Sequence, residues 1–268
     1  MDTAESNRQL SVSRSRLGAG ILGLALVCAC FGTSEQQRKQ AEIQYDLGVT
    51  ELTDGRVREA LNYFMQSIEE YPDFARAHNG LGLALYLLGK QDEALVHFER
   101  ALELDPEYNE VRNNIARMHI SQGRYRQAIP MLEKALEDVF LRERYLAESN
   151  LGWALFQTGQ EEAGIERVLN ALAQNEELCV GYEYLGLMYK KQKRYAEAVE
   201  EFETLLEKCP KYIRGHLELA KLQLMSGSIE TGCQHLRTCQ QLGRRGRLGR
   251  ECKRLLRSSC NPDRDGSS

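Results

Sequence analysis

The chain has 268 residues, of which 42% are hydrophobic and 28% charged, with 5 Pro and 1 Trp. That much apolar material excludes a wholly disordered chain. Only Leu17 to Gly32 could enter a bilayer, about 16 residues where a spanning helix needs about 20, so a polytopic membrane protein is excluded too. The net charge of −4 does not suggest a polyanion binder, but it is uneven: from Gln240 onward 8 Arg and Lys face 3 Asp and Glu, a local +5 against −9 elsewhere.

Arg8, Arg14 and Arg16 precede the apolar run Leu17 to Val27, the charged and apolar regions of a secretory signal. The run ends in Val27-Cys28-Ala29-Cys30, which resembles the lipobox read by the lipoprotein signal peptidase. Cys30, with Ala29 before it, fits better than Cys28, which follows the bulkier Val27. The expectation is a signal peptide over 1–29, acylation of Cys30 and a polar tether over 30–40. The alternative is an ordinary cleaved signal, or an uncleaved anchor, with two incidental cysteines. One acyl chain anchors only marginally, whereas two or three hold firmly. Phe31 stands where an Asp would favour the inner membrane, so the expected address is the outer membrane, facing the periplasm.

The body repeats itself. Leu47-Gly48, Leu81-Gly82, Ile115-Ala116, Leu151-Gly152, Leu185-Gly186 and Leu219-Ala220 align with steps of 34, 34, 36, 34 and 34 between the small residues. Twelve residues after each come Ala60, Ala94, Ala128, Gly164, Ala198 and Gly232, and four further on Phe64, Phe98, Leu132, Val168, Phe202 and Leu236. The turns carry Gly55, Gly89, Gly123, Gly159 and Gly227, with Lys193 the exception, and Pro72, Pro106 and Pro210 close three repeats.

This pattern resembles the tetratricopeptide repeat. The resemblance implies an all-α superhelical solenoid of six tetratricopeptide repeats with a C-terminal capping helix, in which stacked hairpins share one core. The repeats fall at 41–74, 75–108, 109–144, 145–178, 179–212 and 213–242, followed by a basic capping helix over 243–262 and a disordered tail over 263–268. Pro130, inside a second helix, removes a hydrogen bond there. The 36-residue step adds two residues around Asp138 to Arg144, which predicts a discontinuity in the stack.

No catalytic motif, metal site or cofactor is expected: HExxH, GxSxG and phosphate-loop patterns do not occur, and His78, His97, His119, His216 and His235 read as scattered over different repeat positions. Six cysteines fall in the last third, an even number that reads as disulfides in an exported chain. The helix hairpins pair Cys179 with Cys209, Cys239 with Cys252 and Cys233 with Cys260. A zinc site from Cys233, His235, Cys239 and Cys252 is the competing reading, and it lacks a CxxC spacing. The Arg-rich end, Arg244 to Arg257, reads as a solvated capping helix ahead of a lipid- or cell-wall-binding one, with no nucleic acid expected.

Six repeats behind a lipobox look like the pilotin family of type IV pilus systems. Val111-Arg112-Asn113-Asn114, Gly123-Arg124-Tyr125 and Asp138 to Arg144 resemble that family's third repeat, added residues included. The C-terminal cysteines depart from the gammaproteobacterial members and bring the chain closer to the gliding-bacterial branch that supports social motility. The resemblance implies a monomeric, non-enzymatic lipoprotein that binds secretin monomers and promotes their assembly in the outer membrane. The first helices are expected to line a concave groove through Tyr45, Val49, Asn79, Leu83, Tyr86, Asn113, Arg117, Trp153, Phe156 and Leu187. The alternatives are another repeat lipoprotein serving envelope assembly or cell-wall enzymes, and a carboxylate-gripping chaperone co-factor. The latter needs Lys and Asn where Tyr45 and Val49 stand.

Overall fold

The computed structural model describes the backbone over residues 18–244 and 246–260, with side chains from residue 34 onward. Within them a single device recurs: a small residue on one helix lets the next helix approach until their side chains interlock. Adding a Cβ to Gly152 would bring it within 2.6 Å of the Gly164 carbonyl oxygen, and one on Gly164 equally close to that of Gly152. The twelve-residue spacing therefore sets a backbone-to-backbone contact, and all described regular structure is helical.

Two compact bodies divide the chain at residues 106 and 107. The first contains α1 (Gly18–Thr53), α2 (Val57–Glu70), α3 (Ala75–Leu87) and α4 (Gln91–Leu104). Phe64 of α2 is fully buried, with Gly48 of α1 and Gly80 of α3 on its ring; a Cβ on either would come within 2.7 Å of it. Burying such a side chain contributes about 1.5–3 kcal/mol. Ser67 also donates to the Ala41 carbonyl at 2.7 Å, tying α2 to α1. The stretch expected as a tether is helical, because α1 runs through it. Glu35, Gln36, Gln37 and Lys39 favour helix, and Lys39–Glu35 and Arg38–Glu42 pair one turn apart at 2.9 and 3.5 Å. Among the described residues, no helix is long and apolar enough to cross a membrane.

The second body holds α5 (Asn109–Ser121), α6 (Tyr125–Leu136), α7 (Arg144–Gln157), α8 (Glu161–Gln174), α9 (Cys179–Lys191), α10 (Tyr195–Lys208), α11 (Ile213–Met225), α12 (Ile229–Leu242) and α13 (Arg247–Ser259). α6 continues through Pro130, which is exposed. The turn glycines have φ between 73° and 98°, and Lys193 adopts φ 62° in the same place.

The expected discontinuity after α6 does not occur. Ala116, Ile120, Leu132, Leu136, Leu141, Ala147 and Leu151 form one buried cluster that runs from α5 across the insertion into α7. The added length bulges outward, with Val139 78% and Phe140 89% exposed, while Leu141 turns in. Polar contacts brace the bulge: Asp138 accepts from the Phe140 N–H at 2.9 Å and from Asn109 at 3.1 Å, and Arg144 donates to the Leu136 carbonyl at 2.9 Å.

Candidate functional site

In the second body the first helices of successive hairpins carry a continuous run of polar and aromatic contacts. Asn150 of α7 donates to Asn113 of α5 at 3.0 Å and accepts from the Tyr184 hydroxyl of α9 at 3.3 Å. Trp153, half-buried, stacks on Tyr184 with ring centroids 4.9 Å apart. Further along, buried Glu183 accepts from Tyr212 and from Arg214, the latter at 2.9 Å. Glu218 accepts from Lys190 at 2.5 Å and Lys221 at 2.9 Å, and Lys221 reaches Glu251 of α13 at 2.9 Å.

Burial alone would raise the Glu218 carboxyl, but its two lysines outweigh that and hold it below the usual carboxylate range. Burial first, and then the charge of Glu183, push the Tyr212 phenol far up, so it stays a donor. These groups satisfy each other and fix the helices. The aromatic pair is the part with surface left to offer. An indole beside a phenol, framed by Asn113 and Asn150, can hold an apolar or aromatic side chain of a partner.

The sequence-predicted groove residues fare differently. Asn113, Arg117, Trp153 and Leu187 are half-buried on first helices of the second body, and Asn79, Leu83 and Tyr86 are half-buried on α3 in the first. Tyr45 is engaged inside the first body, 5.8 and 5.5 Å from the Phe64 and Phe74 rings with the Arg76 guanidinium 5.0 Å above it, whereas Val49 is exposed. Phe156 must be removed from the groove. It is fully buried with Val168, Met188 and Ala198, and a Cβ on Gly164 would lie 2.8 Å from its own Cβ, so it points into the hairpin and cannot touch a partner. Cys30 falls within α1, but its side chain lies outside the described residues, as do residues 1–17 of the expected signal and the tail over 263–268.

The sequence reading missed a groove of about 440 Å³ in the first body, lined by Leu61, Met65 and Ile68 of α2, Leu81 and Leu85 of α3, and His97 of α4. Its signal was present as the i, i+4, i+7 spacing of Leu61, Met65 and Ile68.

Four of the five histidines are not scattered but paired. His78 and His97 form one pair and His216 and His235 another, each 19 residues apart, with Nδ1 atoms 3.1 and 2.9 Å from each other. Each pair sits at the same positions of its repeat. In both, the first histidine's Nε2 lies 2.9 Å from a proline carbonyl, Pro72 or Pro210, so it carries the proton there and its Nδ1 accepts from the partner ring.

Disulfides join Cys179 to Cys209, Cys233 to Cys260 and Cys239 to Cys252, with Cα–Cα distances of 6.2, 5.8 and 6.1 Å. They occupy the three thiols of the competing zinc reading, and His235 faces His216 instead. Among the described residues, no group of three or more His, Cys, Asp or Glu side chains is arranged to hold a metal ion.

No curated protein matches the chain in sequence. Similar solved structures include a chain of the APC/C hetero-tetramer Cut9–Hcn1, with a TM-score of 0.70 and 20% identity over 84% of this chain; the match spans only 45% of that one. Pseudomonas aeruginosa PilF aligns with a TM-score of 0.61 and 20% identity, covering 82% of this chain and 99% of PilF. PilW, a type IV pilus biogenesis factor, gives 0.65 and 17%, covering 79% and 97%. At these identities the likeness is one of fold. Residues 45–109, 85–147 and 179–212 each match the tetratricopeptide repeat, and the first range includes the Gly48 and Gly80 positions that close on Phe64. The chain belongs to the tetratricopeptide-repeat family.

Proposed function

We propose that this chain is a pilotin: a lipoprotein, anchored in the outer membrane through acylated Cys30, that binds monomers of a type IV pilus secretin and promotes their assembly. The observation that carries the reading is the Trp153–Tyr184 stack, a half-buried aromatic platform on the first-helix face of a protein-binding repeat fold. Aromatic anchors of this kind dominate binding energy at interfaces. The alignment with PilF and PilW along nearly their whole lengths, and the description of PilW as a pilus biogenesis factor, support the same direction. In this reading no bond is made or broken. The protein shields an apolar segment of the secretin monomer until the ring closes, and the lipid keeps it at the membrane.

The test combines Trp153→Ala with Tyr86→Ala. The variant should stay folded and membrane-bound while secretin multimers disappear. Normal multimers in cells carrying both changes would remove the first-helix face from consideration. Mass spectrometry of the membrane form tests the anchor separately, with diacylglyceryl expected on Cys30 and an unmodified N-terminus counting against it.

A further inference from the structure

The last helix, α13, has two opposite faces. One is packed: Gly249 and Cys252 are buried and Leu248, Leu255 and Leu256 half-buried against Leu217, Ala220, Leu236 and Cys239. The other carries Arg247, Arg250, Lys253, Arg254 and Arg257, all exposed. At 3.6 residues per turn these five fall within about one third of the helix circumference, along about 15 Å of axis. Glu251, the helix's acid, points away from them to Lys221. Among the described residues, Arg247, Lys253, Arg254 and Arg257 make no ion pair. Two disulfides to α12 fix which face is outermost, so the charge cannot be turned inward.

We propose that this stripe lies on an anionic lipid surface and meets headgroup phosphates at several points along the helix. Its charge is complementary to such a surface. It stands on the outer side of a helix, with no walls to enclose a single anion. It also carries no aromatic side chain on which nucleic-acid bases could stack. The inference rests on the membrane attachment proposed above, which places a bilayer within reach. The stripe then orients the C-terminal body on the membrane that the N-terminal lipid merely holds close.

The experiment uses the full chain on vesicles of phosphatidylcholine alone or mixed with phosphatidylglycerol, and reads acetylation of Lys253 by mass spectrometry against exposed Lys193. On the anionic vesicles Lys253 labelling should fall roughly fivefold and recover at high salt. Combining Arg247→Gln, Arg254→Gln and Arg257→Gln should abolish the protection with helicity unchanged by circular dichroism. Equal labelling on both vesicles overturns the proposal. So does equal protection by inorganic phosphate without lipid, or protection that tracks protein concentration, which would point to a second copy. Protein that floats only with anionic vesicles and is protected at Lys253 keeps the stripe and sinks the anchor; flotation with neither sinks both.

Discussion

Trp153 and Tyr184 stack across neighbouring first helices with their ring planes 8° from parallel and centroids 4.9 Å apart. The phenol end of the stack is held by Asn150, so the indole leans on a ring that cannot swing away. A double-mutant cycle of Trp153→Ala and Tyr184→Ala in urea denaturation should give a coupling energy of about 0.5–1.5 kcal/mol. Tyr184→Phe, which keeps the stack and loses the hydrogen bond, should cost about 1 kcal/mol or less. Strict additivity would mean that the rings do not support each other.

The bulge between α6 and α7 separates two adjacent apolar residues by role. Leu141 is 8% exposed inside the cluster that bridges the insertion, and Phe140 is 89% exposed. Leu141→Ala should therefore cost about 2–4 kcal/mol. Phe140→Ala should stay within about 0.5 kcal/mol. Equal costs would show that the loop packs in another way.

The hairpin architecture was legible because its signals are local and repeated. Gly152 and Gly164 face each other for a reason that twelve-residue spacing already contains, and among the described residues the turn glycines mark the left-handed positions except Lys193 and Glu143, the latter in the insertion before α7. What stayed hidden depends on which way a side chain turns inside a regular helix. Phe156 and Trp153 are three residues apart on α7, yet Phe156 is sealed in the core and Trp153 is half-exposed. Repeat position alone does not separate them. The insertion was visible, but not its outward bulge, which depends on Leu141 reaching back into the core. The histidine pairs correspond to a spacing of 19 residues that occurs twice, a signal carried by the comparison of one repeat with another and not by any single histidine.

Cys239 and Cys252 are both fully buried and close the hairpin of α12 and α13 around a loop of 13 residues. The turn is as tight as glycine permits, since a Cβ on Gly249 would sit 2.1 Å from the Gly243 carbonyl oxygen. Replacing both cysteines by Ser should cost roughly 3 kcal/mol by the chain-entropy argument. The loss should centre on α13, which packs at the end of its body, and hydrogen exchange there should speed up well before that of α9. A uniform loss along the body would argue against a local staple.

Lys193 occupies a left-handed position, φ 62°, that glycine fills in the other turns. Its side chain is exposed, so substitution disturbs no packing. Left-handed backbone costs a non-glycine residue roughly 1–2 kcal/mol, and glycine returns part of that gain as chain entropy. Lys193→Gly should thus raise stability by about 0.5–1 kcal/mol, visible as a higher urea midpoint with unchanged slope. Lys193→Val should lower it.

Glu201 on α10 supplies a pH dependence of definite sign. Burial, and then neighbouring Glu200, push its carboxyl up to about 7 from an ordinary value of 4.5. The native state therefore binds this proton more tightly than the unfolded chain does. The stability it lends is complete below about 4.5 and is lost as pH climbs through about 7. Because the group is only half-buried, solvent screening reduces the effect to about 1–2 kcal/mol. His97 and His235 act in the opposite sense: burial first, and then the partner ring, lower them from the ordinary 6.5, so their contribution is complete above about 6.5 and is lost as pH falls below it. The two effects overlap near pH 6, and only a comparison with Glu201→Gln isolates the carboxyl. The wild type should lose stability relative to that variant between pH 5 and about pH 8. Parallel curves for the two proteins across that range would show that Glu201 ionises as freely in the native state as in the unfolded one.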